Sequence, residues 1–326
     1  MNDFLKKLAV ALGLALLIVL GLLGARSSGG GAPLATPRAP TPLPPTTNTK
    51  TARALIPTGA WLIVDFHTSL SETAPFASSP DPACSEVPPP ERAAVGVLPP
   101  RAGEDSPEIV LGAAGVSRRF FECARQQILA SGGQESPVNP AIDFLKSKTG
   151  ILLHERRGPV GNLVFATGNP DLDGLVRALL LDDKDLPSSP HAAFPPPPDG
   201  ALAHATLVLP PDWLEAAGPE GARSPLRHAR GGFATLLPSG TVKARLVCAD
   251  EGRPELKKFL ERALRDLSQK VPGGLDTPAF REEPGAIEIE LAGKVSGLSR
   301  WLGRFGGLKS PSVRARSTGE PQREQD

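Results

Sequence analysis

Apolar positions along the chain recur with two periods, and the two alternate. A short run with strand character gives way to small or polar residues and then to a helical stripe. In "GNLVFATGNPDLDGLVRALL", Leu163 to Ala166 reads as a strand, and Asn169 caps a helix with Pro170 at its first position. Leu172, Leu175, Val176 and Leu179 then share one helical face. In "VKARLVCADEGRPELKKFLERALRDLSQK", Lys243, Arg245 and Val247 alternate with Ala244, Leu246 and Cys248, a half-exposed strand. Pro254 suits the first turn of the helix that follows, whose stripe is Leu256, Phe259, Leu260, Ala263, Leu264 and Leu267. In "AIEIELAGKVSGLSRWLGRF", Ile287, Ile289 and Leu291 point in and Glu288 and Glu290 out, before a stripe of Leu298, Trp301, Leu302 and Phe305.

Two more units fit the set. "EIVLGAAGVSRRFFECARQQILASGG" holds a strand, a Ser117 cap, a helix and a Gly132-Gly133 stop; "HATLVLPPDWLEAAG" holds a short strand and a short helix. "AIDFLKSKTGILLHER" and "RHARGGFATLLPSGTVKARLV" read as hairpins, the second turning at Ser239-Gly240. Hairpins mixed with strand–helix units predict an α+β fold: an antiparallel or mixed sheet, helices packed on one face, in two similar halves. In "WLIVDFHTSL" the alternation sets Leu62, Val64 and Phe66 on one face and Trp61, Ile63, Asp65 and His67 on the other. Its acid and imidazole invite a catalytic reading, but no nucleophile within the segment is tied to the pair, and Thr68-Ser69 reads as the start of a turn or short helix. The first strand of the folded domain is the simpler reading, and Asp65 and His67 are not taken as a site.

The N-terminus changes the picture. Lys6 and Lys7 precede an uncharged apolar run of 18 residues, Leu8 to Ala25. At a rise of ~1.5 Å per residue it spans roughly 27 Å, near the thickness of a hydrocarbon core. Cleavage after Ala25 would set Leu23 at minus three, a poor fit to a signal peptidase site. One transmembrane helix is therefore preferred over a removed signal peptide. The lysines stay cytoplasmic and the main domain is extracytoplasmic, with a cleaved, secreted form as the alternative. The map is 1–7 cytoplasmic, 8–25 anchor, 26–54 Gly/Pro/Thr-rich linker, 55–182 first half, 183–200 Pro-rich loop, 201–306 second half and 307–326 disordered polar tail.

Composition adds little chemistry. The 326 residues hold 37 Pro and 34 Gly, much of it in the linkers, one Met and no Tyr. Thirty-six Lys plus Arg balance 35 Asp plus Glu, a net charge of +1, which argues against a nucleic-acid partner. Cys84, Cys123 and Cys248 allow three pairings, or three buried thiols. A Cys84–Cys123 bridge is preferred because it would staple the Pro-rich loop to a helix, a closure of about 40 residues worth on the order of 4 kcal/mol.

Segments "AWLIVDF", "SRRFFECARQQILASGG", "LVLPPDWLEAAGPEGARSPLRHARGG" and "TVKARLVCADE" resemble a loosely defined group of exported or membrane-anchored bacterial proteins without assigned activity. The resemblance covers most of residues 59–270 and implies an extracytoplasmic, duplicated α+β domain; it carries no catalytic residues.

Candidate chemistry is sparse. His67, His154, His191, His204 and His228 lack metal-ligand spacing, so no metal or cofactor is expected. "HER" at 154–156 reads as the end of a solvated strand. "KTG" at 148–150 matches a penicillin-binding motif, yet no serine has Lys at plus three, so it reads as a hairpin turn. Arg223, Arg227, His228 and Arg230 form the densest basic cluster, a solvated face or an anion or partner contact. Trp213 and Trp301 read as core. The chain is expected to be tethered to the membrane through residues 8–25 and to bind another envelope protein. The alternatives are a hydrolase using Asp65 and His67, or a carrier whose apolar ligand sits between sheet and helices.

Overall fold

The computed structural model describes residues 50–68, 79, 81–99, 108–136, 140–156, 160–168, 170–181, 188–209, 224–239, 241–270 and 277–291. Its strands are β1 (Leu62–His67), β2 (Arg92–Leu98), β3 (Glu108–Ser117), β4 (Gln134–Glu135), β5 (Ile142–Lys146), β6 (Gly150–Glu155), β7 (Val160–Thr167), β8 (Ala203–Val208), β9 (Ala229–Leu236), β10 (Val242–Cys248), β11 (Ala279–Glu283) and β12 (Ala286–Leu291). Three α-helices are described: α1 (Arg118–Ala130), α2 (Leu172–Leu180) and α3 (Arg253–Lys270). The fold is α+β with one antiparallel sheet of twelve strands, in the order β11-β12-β10-β9-β8-β1-β2-β3-β7-β6-β5-β4. The neighbour order β1-β2-β3-β7-β6 is matched by β8-β9-β10-β12-β11, each with a helix after its third strand. A ladder between β1 and β8 joins the two groups, from Leu62↔Leu207 to Phe66↔Ala203.

Both expected hairpins form. Ser147 closes the β5–β6 turn, its hydroxyl donating to Gly150 O and accepting from the Thr149 and Gly150 amides. The "KTG" residues are thus a turn. Ser117 Oγ accepts from the Phe120 amide at 3.2 Å and starts α1. Gly132, with φ +85, ends it in the left-handed conformation that glycine adopts without strain. Helix α2 starts two residues later than the sequence pattern places it, with Asp171 as N-cap. Its Leu175 and Leu179 are fully buried, worth roughly 1.5–3 kcal/mol each. Helix α3 buries Leu256 and Leu264, with Phe259 and Leu260 packed beside them. On β12 Ile287 is buried and Glu290 exposed, as the alternation requires. Helices expected after β8 and over 298–305, with Trp213 and Trp301, lie outside the described residues.

The helices occupy both faces of the sheet rather than one. Adjacent residues of β7 show it: Leu163 packs with Phe121 of α1, and Val164 with Leu175 and Leu179 of α2. A strand covered on both faces loses its polar alternation, and "GILLHE" of β6 is buried throughout. Helices α1 and α3 share a face, because Phe66 of β1 packs against both of their clusters. Helix α2 lies on the other.

A 3-10 turn at Ala52–Leu55 covers the sheet beside α2. It settles this close because the strands beneath carry glycine. A methyl group at Gly112 would come within 2.8 Å of Leu55 Cβ, and one at Gly96 within 2.2 Å of Ile56 Cγ2. Lys50 Nζ donates to the carbonyls of Ala178 and Leu179 at 2.6 and 2.9 Å, satisfying the C-terminal end of α2. Residues 50–54, assigned to the linker on composition, therefore belong to the fold. Lys50 and Arg53 reach residues over a hundred positions away, at Ala178, Leu179 and Thr206, which composition does not register.

Candidate functional site

Asp65 and His67 stand on the same side of β1, as the alternation requires, but they are not a working pair. Arg53, from the 3-10 turn, puts Nη1 3.2 Å from Asp65 Oδ2 and Nη2 3.0 Å from Thr206 Oγ1 on β8. His191 completes the group. Its Nδ1 is 2.8 Å from Thr206 Oγ1 and its Nε2 is 2.8 Å from Ala60 O. The Ala60 carbonyl can only accept, so Nε2 carries the proton and donates to it, and Nδ1 accepts from the threonine hydroxyl. Burial pushes the Asp65 carboxyl up, and Arg53 opposes it. Burial lowers His191, while its bond to Ala60 opposes and Arg53 adds to the fall. Next to this group His204 sets Nδ1 2.9 Å from Thr235 Oγ1. Its imidazole is brought to about 4, by burial first and by Arg53 second. His67 is half-buried and lowered by burial and by Arg92 across the ladder. Among the described residues no hydrogen bond joins it to Asp65. The chemistry here is spent on tying the 3-10 turn and the 190–193 segment to the sheet.

A second polar group lies where a solvated strand end was expected. His154 and Glu155 are 4% and 5% exposed. The His154 ring stacks on Phe121 with centroids 4.1 Å apart, and its Nδ1 is 3.3 Å from Asp143 Oδ2. Arg156 Nε donates to Asp143 Oδ1, and Asn162 Nδ2 donates to Glu155 Oε2 at 2.7 Å. Burial lowers His154 against the pull of Asp143. The dyad resembles a base with its orienting acid, but a methyl group at Gly161 would lie 3.0 Å from His154 Nε2, so backbone closes that side. The sequence signal missed here was Asp143, set opposite His154 by hairpin register.

The basic cluster is partly committed. Arg223 lies outside the described residues. Arg227 Nη2 donates to Glu255 Oε2 of α3 at 3.1 Å, and His228 Nε2 lies 3.6 Å from the same oxygen. The His228 ring rests on Gly252, where any Cβ would overlap it. Arg230 is exposed on β9. Cys248 is buried and free, its thiol pushed up by burial. Cys84 and Cys123 form a disulfide, with Val87 and Phe120 packed around it.

One cleft of about 310 Å³ opens beside α1. Ala124, Gln127, Ile128 and Ser131, one stripe of the helix, form a wall. Ser147 and Thr149 of the β5–β6 turn, with Leu152 and Phe165 of the sheet, complete it. It is a shallow depression open to solvent between helix and sheet rather than an enclosed cavity, and none of its eight lining residues is ionisable. Among the described residues no group of His, Cys, Asp and Glu could hold a metal ion. No helix among them is long and apolar enough to cross a membrane; residues 8–25 lie outside them.

No family model and no curated protein match the chain, so the group resembled on sequence is not identified by them. Solved structures of crystal forms I and III of TP0453 do match. Form I has a TM-score of 0.45 at 10% identity, over 78% of this chain and 98% of that one. Form III has a TM-score of 0.44 at 9% identity, over 78% and 99%.

Proposed function

We propose that the chain is a membrane-tethered, extracytoplasmic module that works by binding, with another envelope protein as its partner. The Cys84–Cys123 disulfide carries this reading, since such bonds persist in oxidising compartments and are rare in the cytosol. The 18-residue apolar run and the spacer after it supply the tether. The hydrolase reading loses its acid, because Asp65 is held by Arg53. Carriage of an apolar ligand stands as a second reading, favoured by the cleft beside α1. Topology is tested on the full chain in bacterial membranes. A membrane-impermeant amine reagent should label the folded lysines in intact spheroplasts, and one thiol should be alkylatable before reduction and three after. Three reactive thiols in the unreduced, denatured chain would refute the proposed compartment.

A further inference from the structure

The floor of the cleft beside α1 continues across the sheet. Strand register sets Leu152 opposite Phe165, Phe165 opposite Leu111 and Leu111 opposite Val95. Side chains opposite one another on paired strands share a face, so these four form one row. Leu152 is buried at its inner end, while Phe165, Leu111 and Val95 are half-buried. At a strand spacing of ~4.8 Å the row runs about 14 Å from Leu152 to Val95. Val97 and Ile109 form the neighbouring row on the same face, and Ile109 is 42% exposed. Exposed apolar surface that continues into a concavity marks an interaction site.

The other end of the cleft differs. Gln127, Ser131, Ser147 and Thr149 bring amide and hydroxyl groups to the mouth, without a charge. The Ser131 hydroxyl donates to Ile128 O and the Ser147 hydroxyl to Gly150 O. The Gln127 side chain has no protein partner among the described residues. Nearby Arg125 is already paired with Glu135 at 2.6 Å and with Glu122. Lys148 stands between the lining residues Ser147 and Thr149, but it is exposed and does not itself line the cleft. A ligand carboxylate or phosphate seated there would thus meet no cation at the wall.

We propose that this cleft and its row bind an uncharged single-chain amphiphile: the alkyl chain lies over Phe165, Leu111 and Val95, and a hydroxylated head meets Gln127 and Thr149. The inference rests on the carrier reading and gives that ligand its chemistry. A neutral head avoids desolvating a charge without a counter-ion, and an apolar row extended over about 14 Å matches the length of an alkyl chain.

The test uses the full chain in phospholipid nanodiscs with a diazirine-bearing monoacylglycerol as probe. After irradiation, label should map to peptides carrying Leu111, Ile128 or Phe165. Ser131→Trp, at an exposed position on the mouth, should lower that label at least fivefold; Ala130→Trp, on the same helix but outside the cleft, should leave it unchanged. Ala124→Trp fills the wall and should act like Ser131→Trp, with retention of the Cys84–Cys123 bridge reporting its folding. A diazirine fatty acid of equal chain length should label at least tenfold less. Label confined to residues 8–25, or equal in Ser131→Trp and Ala130→Trp, would overturn the site. Equal labelling by the fatty acid would overturn the neutral head. Three reactive thiols would remove the extracytoplasmic reading while a positive labelling pattern stands, so the two failures are distinct.

Discussion

Acidification should destabilise the fold through its buried histidines, and His204 gives the largest effect. Its side chain is 1% exposed, with one ring nitrogen 2.9 Å from Thr235 Oγ1, and the Pro195 carbonyl pulls only weakly against burial. Burial brings the imidazole from 6.5 to about 4. The folded state therefore takes up the proton later than the unfolded chain. The stabilisation is complete above pH 6.5 and is lost as pH falls toward 4. With those two values, His204 alone removes about 2 kcal/mol between pH 7.5 and 5.0, toward a limit of about 3 kcal/mol. His191 and His154 are lowered by burial and act in the same direction. Asp65 is raised and acts in the opposite one, since its protonated form is favoured by folding. The assay is pulse proteolysis in urea on the full chain in a non-ionic detergent, at both pH values, for wild type and His204→Gln. The glutamine is neutral and can still bond Thr235. The variant should lose about 2 kcal/mol less than wild type over that pH step. Equal losses would refute the reasoning and place the acid sensitivity elsewhere.

Three further outcomes can be measured. Cys84→Ala with Cys123→Ala opens a loop of sequence separation 39, which should cost about 4 kcal/mol by urea unfolding; Cys248→Ala should leave the bridge intact by non-reducing mass. Gly112→Val drives a side chain into Leu55 and the Ala52 carbonyl. It should lower stability by about 2–4 kcal/mol and expose the 50–56 segment to hydrogen exchange; unchanged exchange there would contradict the packing. Arg53→Met leaves Asp65 buried without its partner and should cost about 3 kcal/mol, and adding Asp65→Leu should recover part of it in a double-mutant cycle.

Much of the fold is written in local periodicity. The Ser117 cap, the Ser147 turn, the stripes of α2 and α3 and the in-out alternation of β12 all depend on residues within a few positions of one another. What local patterns cannot carry is pairing at a distance. The two-faced burial of β6 and β7 looks like a plain apolar run until α1 and α2 are known to lie on opposite sides. The burial of His154 depends on Phe121 and on Asp143 across a hairpin. Arg227 and His228 look free in sequence because Glu255, which engages them, is 27 or more positions away. The cleft is legible only in part: Ala124, Gln127, Ile128 and Ser131 share a helical face, but the facing turn and row come from strand register.

The ladder between β1 and β8 makes the chain divisible in principle and interdependent in practice. A cut between residues 182 and 187 would leave each piece with a complete strand group but an open inner edge. One edge would be Leu62–His67, the other Ala203–Val208, both apolar on the face shared with α3. Such edges seek a partner strand, and the register offers each only one good match. Fragments made together should therefore reassemble as a split protein, whereas either made alone should aggregate through that edge.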